Sequence, residues 1–381
     1  MVKNKSTPFY PIGKLFDSGQ VKVDNHTSIY YEQRGNPWGP AVVYNHGGPG
    51  GHASAESSQW FDPNHYRIIL YDQRGTGNSI PSIRNKEINS DYFKDLTIDE
   101  MIADLEKLRE YLSVPQWLVF GGSWGSTLSL YYSEKYPERV SGLIIYGIFL
   151  NSPQEMDAYF NIHCMKQRFP KLGTKAMQSL LDYANSQGLP IDPNHAQMFV
   201  DTYYQLCVLK NDPIAQYLWT AYEDFNDDPT EDALNNLYKR PRLDEFNPRA
   251  RSISIFESSL FRYAYENFNV LNESLLTQLR NVNVRIIQGL SDTEAPPVNA
   301  QKLVDAVLKI KPDLYYKFIT GKHDGDSSPE MRLALIESTD SFKKQAHKKS
   351  LLTDNARFFP SAPASLKSEE AIAEFKIKRN F

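Results

Sequence analysis

Over the first 150 positions, short apolar runs alternate with amphipathic stretches. Ala41–Asn45 and Arg67–Tyr71 are strand-sized, rich in Val, Ile and Tyr, and bounded by Gly, Pro or Asn. Residues 21–24 and 28–33 read as a hairpin, and residues 117–120 and 140–146 form two further apolar runs. Between these, residues 98–112 set Ile98, Met101, Ile102, Leu105 and Leu108 on one helical face. Residues 126–136 read as a second helix, followed by Pro137. Strands separated by helices predict an α/β fold: a mostly parallel sheet with helices on both faces.

The character changes near residue 151. From there to about residue 280 the pattern is helical, rich in Tyr, Phe, Asn and Asp, and offers no convincing strand. Strand and helix then alternate again, over residues 284–288, 297–310, 314–319 and 329–346. We therefore expect one sheet domain in two parts, 1–150 and 281–347, with an inserted helical cap at 151–280. A cap entering after one strand and leaving before another would cover the strand C-terminal ends, where open α/β sheets bind ligands. Residues 348–381, with a Pro/Ala/Ser patch and a charged end, read as a C-terminal tail or an oligomer contact.

At 381 residues the chain is long enough for two to three domains, or one large domain with a lid. An apolar share of 41% with 20 Phe, 23 Tyr and 5 Trp excludes disorder of the whole chain. A net charge of −4 gives no electrostatic reason to expect nucleic acid. No apolar run approaches the ~18 residues that span a bilayer, so no membrane association is expected. The first ten residues are polar, which argues against an export signal. Two cysteines, Cys164 and Cys207, are too few for a disulfide scaffold and lack zinc-site spacing. The expectation is a cytoplasmic protein with reduced thiols, no metal and no cofactor.

Chemistry enters at Gly121-Gly122-Ser123-Trp124-Gly125, a Gly-x-Ser-x-Gly between an expected strand and an expected helix. That setting holds a serine in a strained turn at a helix N-terminus, where the helix dipole favours developing negative charge. An oxyanion hole needs two backbone N–H donors. We expect Trp124 to supply one and Gly48, in His46-Gly47-Gly48-Pro49-Gly50-Gly51, the other. That glycine run lacks the Gly-Lys-Ser/Thr ending of a nucleotide loop. The order on such a fold is serine, acid, histidine. His323, in the loop after residues 314–319, fits the base, whereas His163, His195 and His347 read as surface histidines. Asp292, just after residues 284–288, fits the acid, with Glu294 and Asp324 as alternatives.

With those residues in view, the chain resembles the proline iminopeptidases of the α/β-hydrolase superfamily. The resemblance is carried by the His46 to Gly51 run, Asp72-Gln73-Arg74-Gly75-Thr76-Gly77-Asn78-Ser79, Gly121 to Ser126, Tyr136-Pro137-Glu138-Arg139-Val140 and Gly147-Ile148-Phe149-Leu150. It implies release of an N-terminal proline from short peptides, without metal or cofactor. It also implies that cap carboxylates hold the free amine, and Glu223 and Glu257 fall on matching positions. Phe149 and Phe261 match apolar positions that hold the pyrrolidine ring. Tyr146, Tyr222, Ser259 and Leu260 depart from the family pattern near the cap or pocket, and none of them touches the expected triad.

A charged amine in a desolvated pocket needs a charge partner, and each charge-assisted bond contributes about 1.5–3 kcal/mol. A second expectation, a carboxylesterase or amidase without amine recognition, shares every catalytic residue. It differs only in what Glu223 and Glu257 do. The sequence leaves the oligomeric state open.

Overall fold

The computed structural model describes residues 9–239, 246–266 and 268–352. Eight strands form one sheet: β1 (Leu15–Lys22), β2 (Ser28–Gly35), β3 (Ala41–Asn45), β4 (Arg67–Tyr71), β5 (Trp117–Ser123), β6 (Val140–Ile148), β7 (Val284–Gly289) and β8 (Tyr315–Ile319). Their spatial order is β1-β2-β4-β3-β5-β6-β7-β8. β2 is antiparallel to both β1 and β4, and every other pairing is parallel.

The central strands alternate sides residue by residue, as the pleat requires. Val43, Ile69, Val119, Ile145 and Ile286 face one hydrophobic core. Val42, Ile68, Leu118, Ile144 and Ile287 face the other. The first core is closed by α1 (Ile98–Tyr111), α2 (Trp124–Lys135) and α11 (Pro297–Leu308). The second is closed by α12 (Pro329–Leu352), through Met331, Leu335 and Phe342.

Between β6 and β7 lie α3 (Pro153–Phe160), α4 (Ile162–Arg168), α5 (Gly173–Ser186), α6 (Ala196–Tyr204), α7 (Pro213–Asp227), α8 (Glu231–Tyr238), α9 (Pro248–Leu260) and α10 (Glu273–Thr277). No strand occurs there among the described residues. Aromatic rings hold this segment together: Phe160 stacks on Phe199 and on Tyr222, and lies against Trp219.

Several boundaries differ from the sequence expectation. β1 starts at Leu15, not residue 21, because this edge strand is largely exposed and shows no apolar alternation. β5 runs on through Gly121 and Gly122 to Ser123, since both glycines still pair with β6. Helix α12 runs on to Leu352, past residue 346 where the sequence pattern ended it. Residues 353–381 lie outside the described residues. No helix among the described residues is long and apolar enough to cross a membrane.

Candidate active site

The strand order reverses direction at β3, and the C-terminal ends of β3, β5, β6, β7 and β8 open into one crevice. Ser123 ends β5 and caps α2 with φ 56° and ψ −133°. A non-glycine residue there carries about 1–3 kcal/mol of strain, which its neighbours must support. They leave no slack. A Cβ on Gly125 would stand 2.1 Å from the Asn45 carbonyl oxygen, and one on Gly122 would stand 2.2 Å from the Tyr146 ring. Ser126 Oγ accepts from the Phe149 N–H at 3.1 Å, and Thr127 Oγ1 donates to the Phe149 carbonyl at 2.6 Å. These bonds lock the start of α2 to the end of β6.

The glycine run after β3 packs against Ser123: a Cβ on Gly47 would lie 3.3 Å from the Ser123 Cβ. Gly47 and Gly48 both line the cavity with Ser123. Gln73 explains much of this placement. Its side-chain NH2 donates to the His46 carbonyl at 2.8 Å, its backbone N–H donates to His46 Nε2 at 3.1 Å, and its Oε1 accepts from Trp124 Nε1 at 3.2 Å. Burial keeps the His46 pKa below its ordinary value, which suits Nε2 as an acceptor. Asp72 accepts from the N–H groups of Ala53 and Asn78, and Arg74 grips Asp104 bidentately. The Asp72-to-Ser79 string thus braces the loop over the serine.

His323 follows β8. Its Nδ1 lies 3.0 Å from each oxygen of Asp292, which follows β7. Asp292 is further held by the Ala295 N–H at 2.8 Å and by Gln288 Nε2 at 2.9 Å. Gln288 Oε1 accepts from the Ile148 N–H, tying β7 to β6. Gly147 leaves room for the imidazole, since a Cβ there would touch the ring at 3.2 Å. His323 Nε2 is buried with no hydrogen-bond partner among the described residues. Its nearest acidic group is Glu294, with Oε2 at 3.5 Å. Burial opposes charge on His323, but Glu294, Asp292 and Asp324 outweigh it and raise the pKa to about 9.

Ser123, His323, Glu223 and Glu257 line one cavity of about 300 Å³, together with Glu294 and Asp324. Glu257 accepts from Trp219 Nε1 at 2.5 Å. Glu223 Oε1 is buried with no hydrogen-bond partner among the described residues. Burial raises the Glu223 pKa to about 8, with Arg168 opposing. Burial also raises Glu257 well above the carboxylate range, and the neighbouring Glu223 adds to it. Phe149 and Phe261 stand ring to ring at 5.4 Å, and Phe261 also meets Trp219 at 6.3 Å.

The four sequence departures divide. Tyr146 lines the cavity beneath Gly122. The Tyr222 hydroxyl is buried on the Tyr159 carbonyl, packing α7 against α3. Leu260 is fully buried, and Ser259 nearly so. Sequence reasoning missed Gln288 and Trp219 as supports. Gln288 had a signal, being a polar residue closing an apolar strand run. Trp219 had none beyond its place in the Glu223 motif. Among the described residues, no group of three or more His, Cys, Asp or Glu could hold a metal ion.

Comparison with known proteins agrees with this fold. The family described as alpha/beta hydrolase fold matches residues 40–325. A proline iminopeptidase of Arabidopsis thaliana is 30% identical over 358 residues, covering 89% of this chain and 83% of that protein. A probable proline iminopeptidase of Leptolyngbya boryana is 33% identical over 347 residues, covering 88% of this chain and 97% of its own length. Among solved structures, VinJ is similar in fold, with a TM-score of 0.50 and 20% identity over 86% of this chain and 99% of that one.

Proposed function

Since the chain belongs to the proline iminopeptidases of the alpha/beta hydrolase fold and is a serine hydrolase, we propose that it releases an N-terminal residue, proline foremost, from short peptides through an acyl-enzyme. Ser123 Oγ attacks the first carbonyl. His323 Nε2 takes the serine proton, while Asp292 fixes the tautomer and stabilises the imidazolium. The N–H groups of Gly48 and Trp124 hold the oxyanion. His323 then protonates the departing amine, and water repeats the sequence to free the acid. The Ser123–His323 hydrogen bond forms as the substrate fills the site, since such bonds tighten in the reacting complex.

The observation that carries the amine specificity is the pair of half-buried Glu223 and buried Glu257 in the same cavity as Ser123. Without a cation, burial favours their neutral forms. An incoming ammonium pairs with them and draws them to ionise. A blocked N-terminus offers no such partner and is rejected. In this reading residues 151–280 are a cap that carries both glutamates over the core, with Phe149 and Phe261 as the apolar side of the pocket. A closed pocket favours short peptides over folded proteins. Two free thiols, Cys164 and Cys207, suit a cytoplasmic setting.

The test is a panel of aminoacyl-β-naphthylamides, including Pro, Ala and N-acetyl-Pro, with p-nitrophenyl acetate beside it. Cleavage of Pro but not N-acetyl-Pro, lost in Ser123→Ala, supports the proposal. Turnover of the ester alone would hand the site to the esterase alternative.

A further inference from the structure

We propose that Tyr159 on α3 and Arg168 at the end of α4 are positioning residues for the triad: they clasp the loop that carries Asp292, so the serine works at full rate only with the helical segment docked on that loop. This deepens the proposed function and rests on its triad.

The loop runs from Asp292, after β7, to Ala295, just before α11. The sheet holds its two ends. Gln288 Nε2 donates to Asp292 Oδ2 and to the Ala295 carbonyl, each at 2.9 Å. The two residues between those ends turn their carbonyls to the helical segment. The Tyr159 hydroxyl donates to the Glu294 carbonyl. Arg168 Nη2 donates to the Thr293 carbonyl at 2.5 Å. Thr293 Oγ1 adds a bond at 3.4 Å to the Asp227 carbonyl, at the end of α7. The same short loop sets both sides of the imidazole, since Asp292 meets His323 Nδ1 at 3.0 Å and Glu294 Oε2 stands 3.5 Å from Nε2.

The two donors are themselves held in place. Tyr159 is buried, and its own carbonyl accepts from the Tyr222 hydroxyl, one residue from Glu223. The Arg168 guanidinium lies over the Tyr159 and Phe169 rings, 4.8 and 4.9 Å from their centres, and its Nη1 donates to the Ala158 carbonyl at 2.9 Å. A planar fork so fixed presents its other arm to Thr293 in one direction. Helix α3 is anchored at its first turn as well. Buried Glu155 accepts from the Leu150 and Ser152 N–H groups, each at 2.9 Å, and from Asn299 Nδ2 on α11 at 2.8 Å. Glu155 and Tyr159 are four residues apart and so share one face of α3. That face meets Asn299 and Glu294, five positions apart on the segment that leads from the acid into α11. A rod anchored at both ends fixes the Tyr159 hydroxyl, and with it the loop. Catalysis needs that accuracy, because a misplacement of about 1 Å can cost on the order of a hundredfold in rate.

The experiment measures kcat and KM on Pro-β-naphthylamide and on p-nitrophenyl acetate for wild type, Tyr159→Phe, Arg168→Ala and Arg168→Lys. Active sites are counted by titration with a fluorophosphonate, so unfolded protein does not enter kcat. Tyr159→Phe keeps the ring and removes only the donor. It should lower kcat about tenfold on both substrates and leave KM within about twofold, because Asp292 serves acylation and deacylation alike. Arg168→Ala should do the same, and Arg168→Lys, which keeps a donor, should lose less. Unchanged kcat in both Tyr159→Phe and Arg168→Ala overturns the clasp and leaves the aminopeptidase reading standing. So does a rise in KM confined to Pro-β-naphthylamide at constant kcat, which would make the two residues a wall of the amine pocket. A wild type that turns over the ester but not Pro-β-naphthylamide overturns the aminopeptidase reading, and the ester kcat of the variants then decides the clasp by the same criterion.

Discussion

His323 has a carboxylate at each ring nitrogen, and the two do different things. Asp292 orients Nδ1, whereas Glu294 faces Nε2, the nitrogen that in the proposed mechanism exchanges protons with Ser123 and the leaving group. Only neutral imidazole can accept the serine proton. A pKa raised to about 9 means that activity is lost as pH falls through that value, well above the ordinary His value of about 6.5. Burial pushes the Glu294 carboxyl up to about 9, so it and His323 titrate over the same range; Glu294→Gln removes the coulombic pull on the imidazolium, so the acidic limb of kcat/KM should move to lower pH. A p-nitrophenyl ester should be used, so that amine titration does not intrude. An unmoved limb would show that Glu294 does not touch the imidazole charge. At the amine end, Glu223→Gln should lower kcat/KM on free-amine substrates about tenfold to a hundredfold and spare simple esters. That Ser123, Asp292 and His323 lie at strand ends could be read from the sequence, because a strand-turn-helix motif and chain order constrain those positions. The place of Glu294 could not, because spacing along a loop does not tell which imidazole nitrogen a carboxylate meets.

The elbow between β5 and α2 shows how elements hold a strained residue. Gly125 touches the end of β3 so closely that Gly125→Ala must push Asn45 and the following glycine loop aside. We expect about 1–3 kcal/mol of destabilisation, measured by urea unfolding, and a larger fall in kcat as the oxyanion loop shifts. The central strands were legible as apolar runs because both faces are buried. α2 is buried almost all round, so no amphipathic period marks it, and its limits came from Gly125 and Pro137. Between β6 and β7 the expectation held only helices, without bounds. Apolar residues there serve contacts between helices as much as contacts with the sheet, and Gln205–Leu209 even winds as a π-turn after α6. The edge strand β1 was half missed because exposure removes its alternation.

Across the whole molecule, α9 joins the helical segment to the sheet. Arg251 is buried and donates to the carbonyls of Ile83, Asn85 and Ile88, while Ser252 Oγ donates to the Gly50 carbonyl at 2.7 Å. One helix therefore carries Glu257, grips the core through Arg251 and braces the glycine loop beside Ser123. Arg251→Ala should cost about 1–3 kcal/mol by leaving buried carbonyls unpaired. It should also raise KM for free-amine substrates more than for esters, as Glu257 loses its alignment. Differential scanning calorimetry with paired kinetics would check both. The helical segment and the sheet were separable in the sequence, but this docking was not, since nothing in the pattern pairs Arg251 with carbonyls more than 160 residues away.

The central claim is that buried carboxylates over a serine nucleophile select for a free amine. It is tested most directly by the ratio of kcat/KM for Pro-β-naphthylamide to that for N-acetyl-Pro-β-naphthylamide, in wild type and in Glu223→Gln/Glu257→Gln. The account predicts a ratio of at least about a hundred in wild type, the scale of two charge-assisted bonds, collapsing toward one in the double variant. A wild-type ratio near one, or a high ratio unchanged by the double substitution, would contradict it.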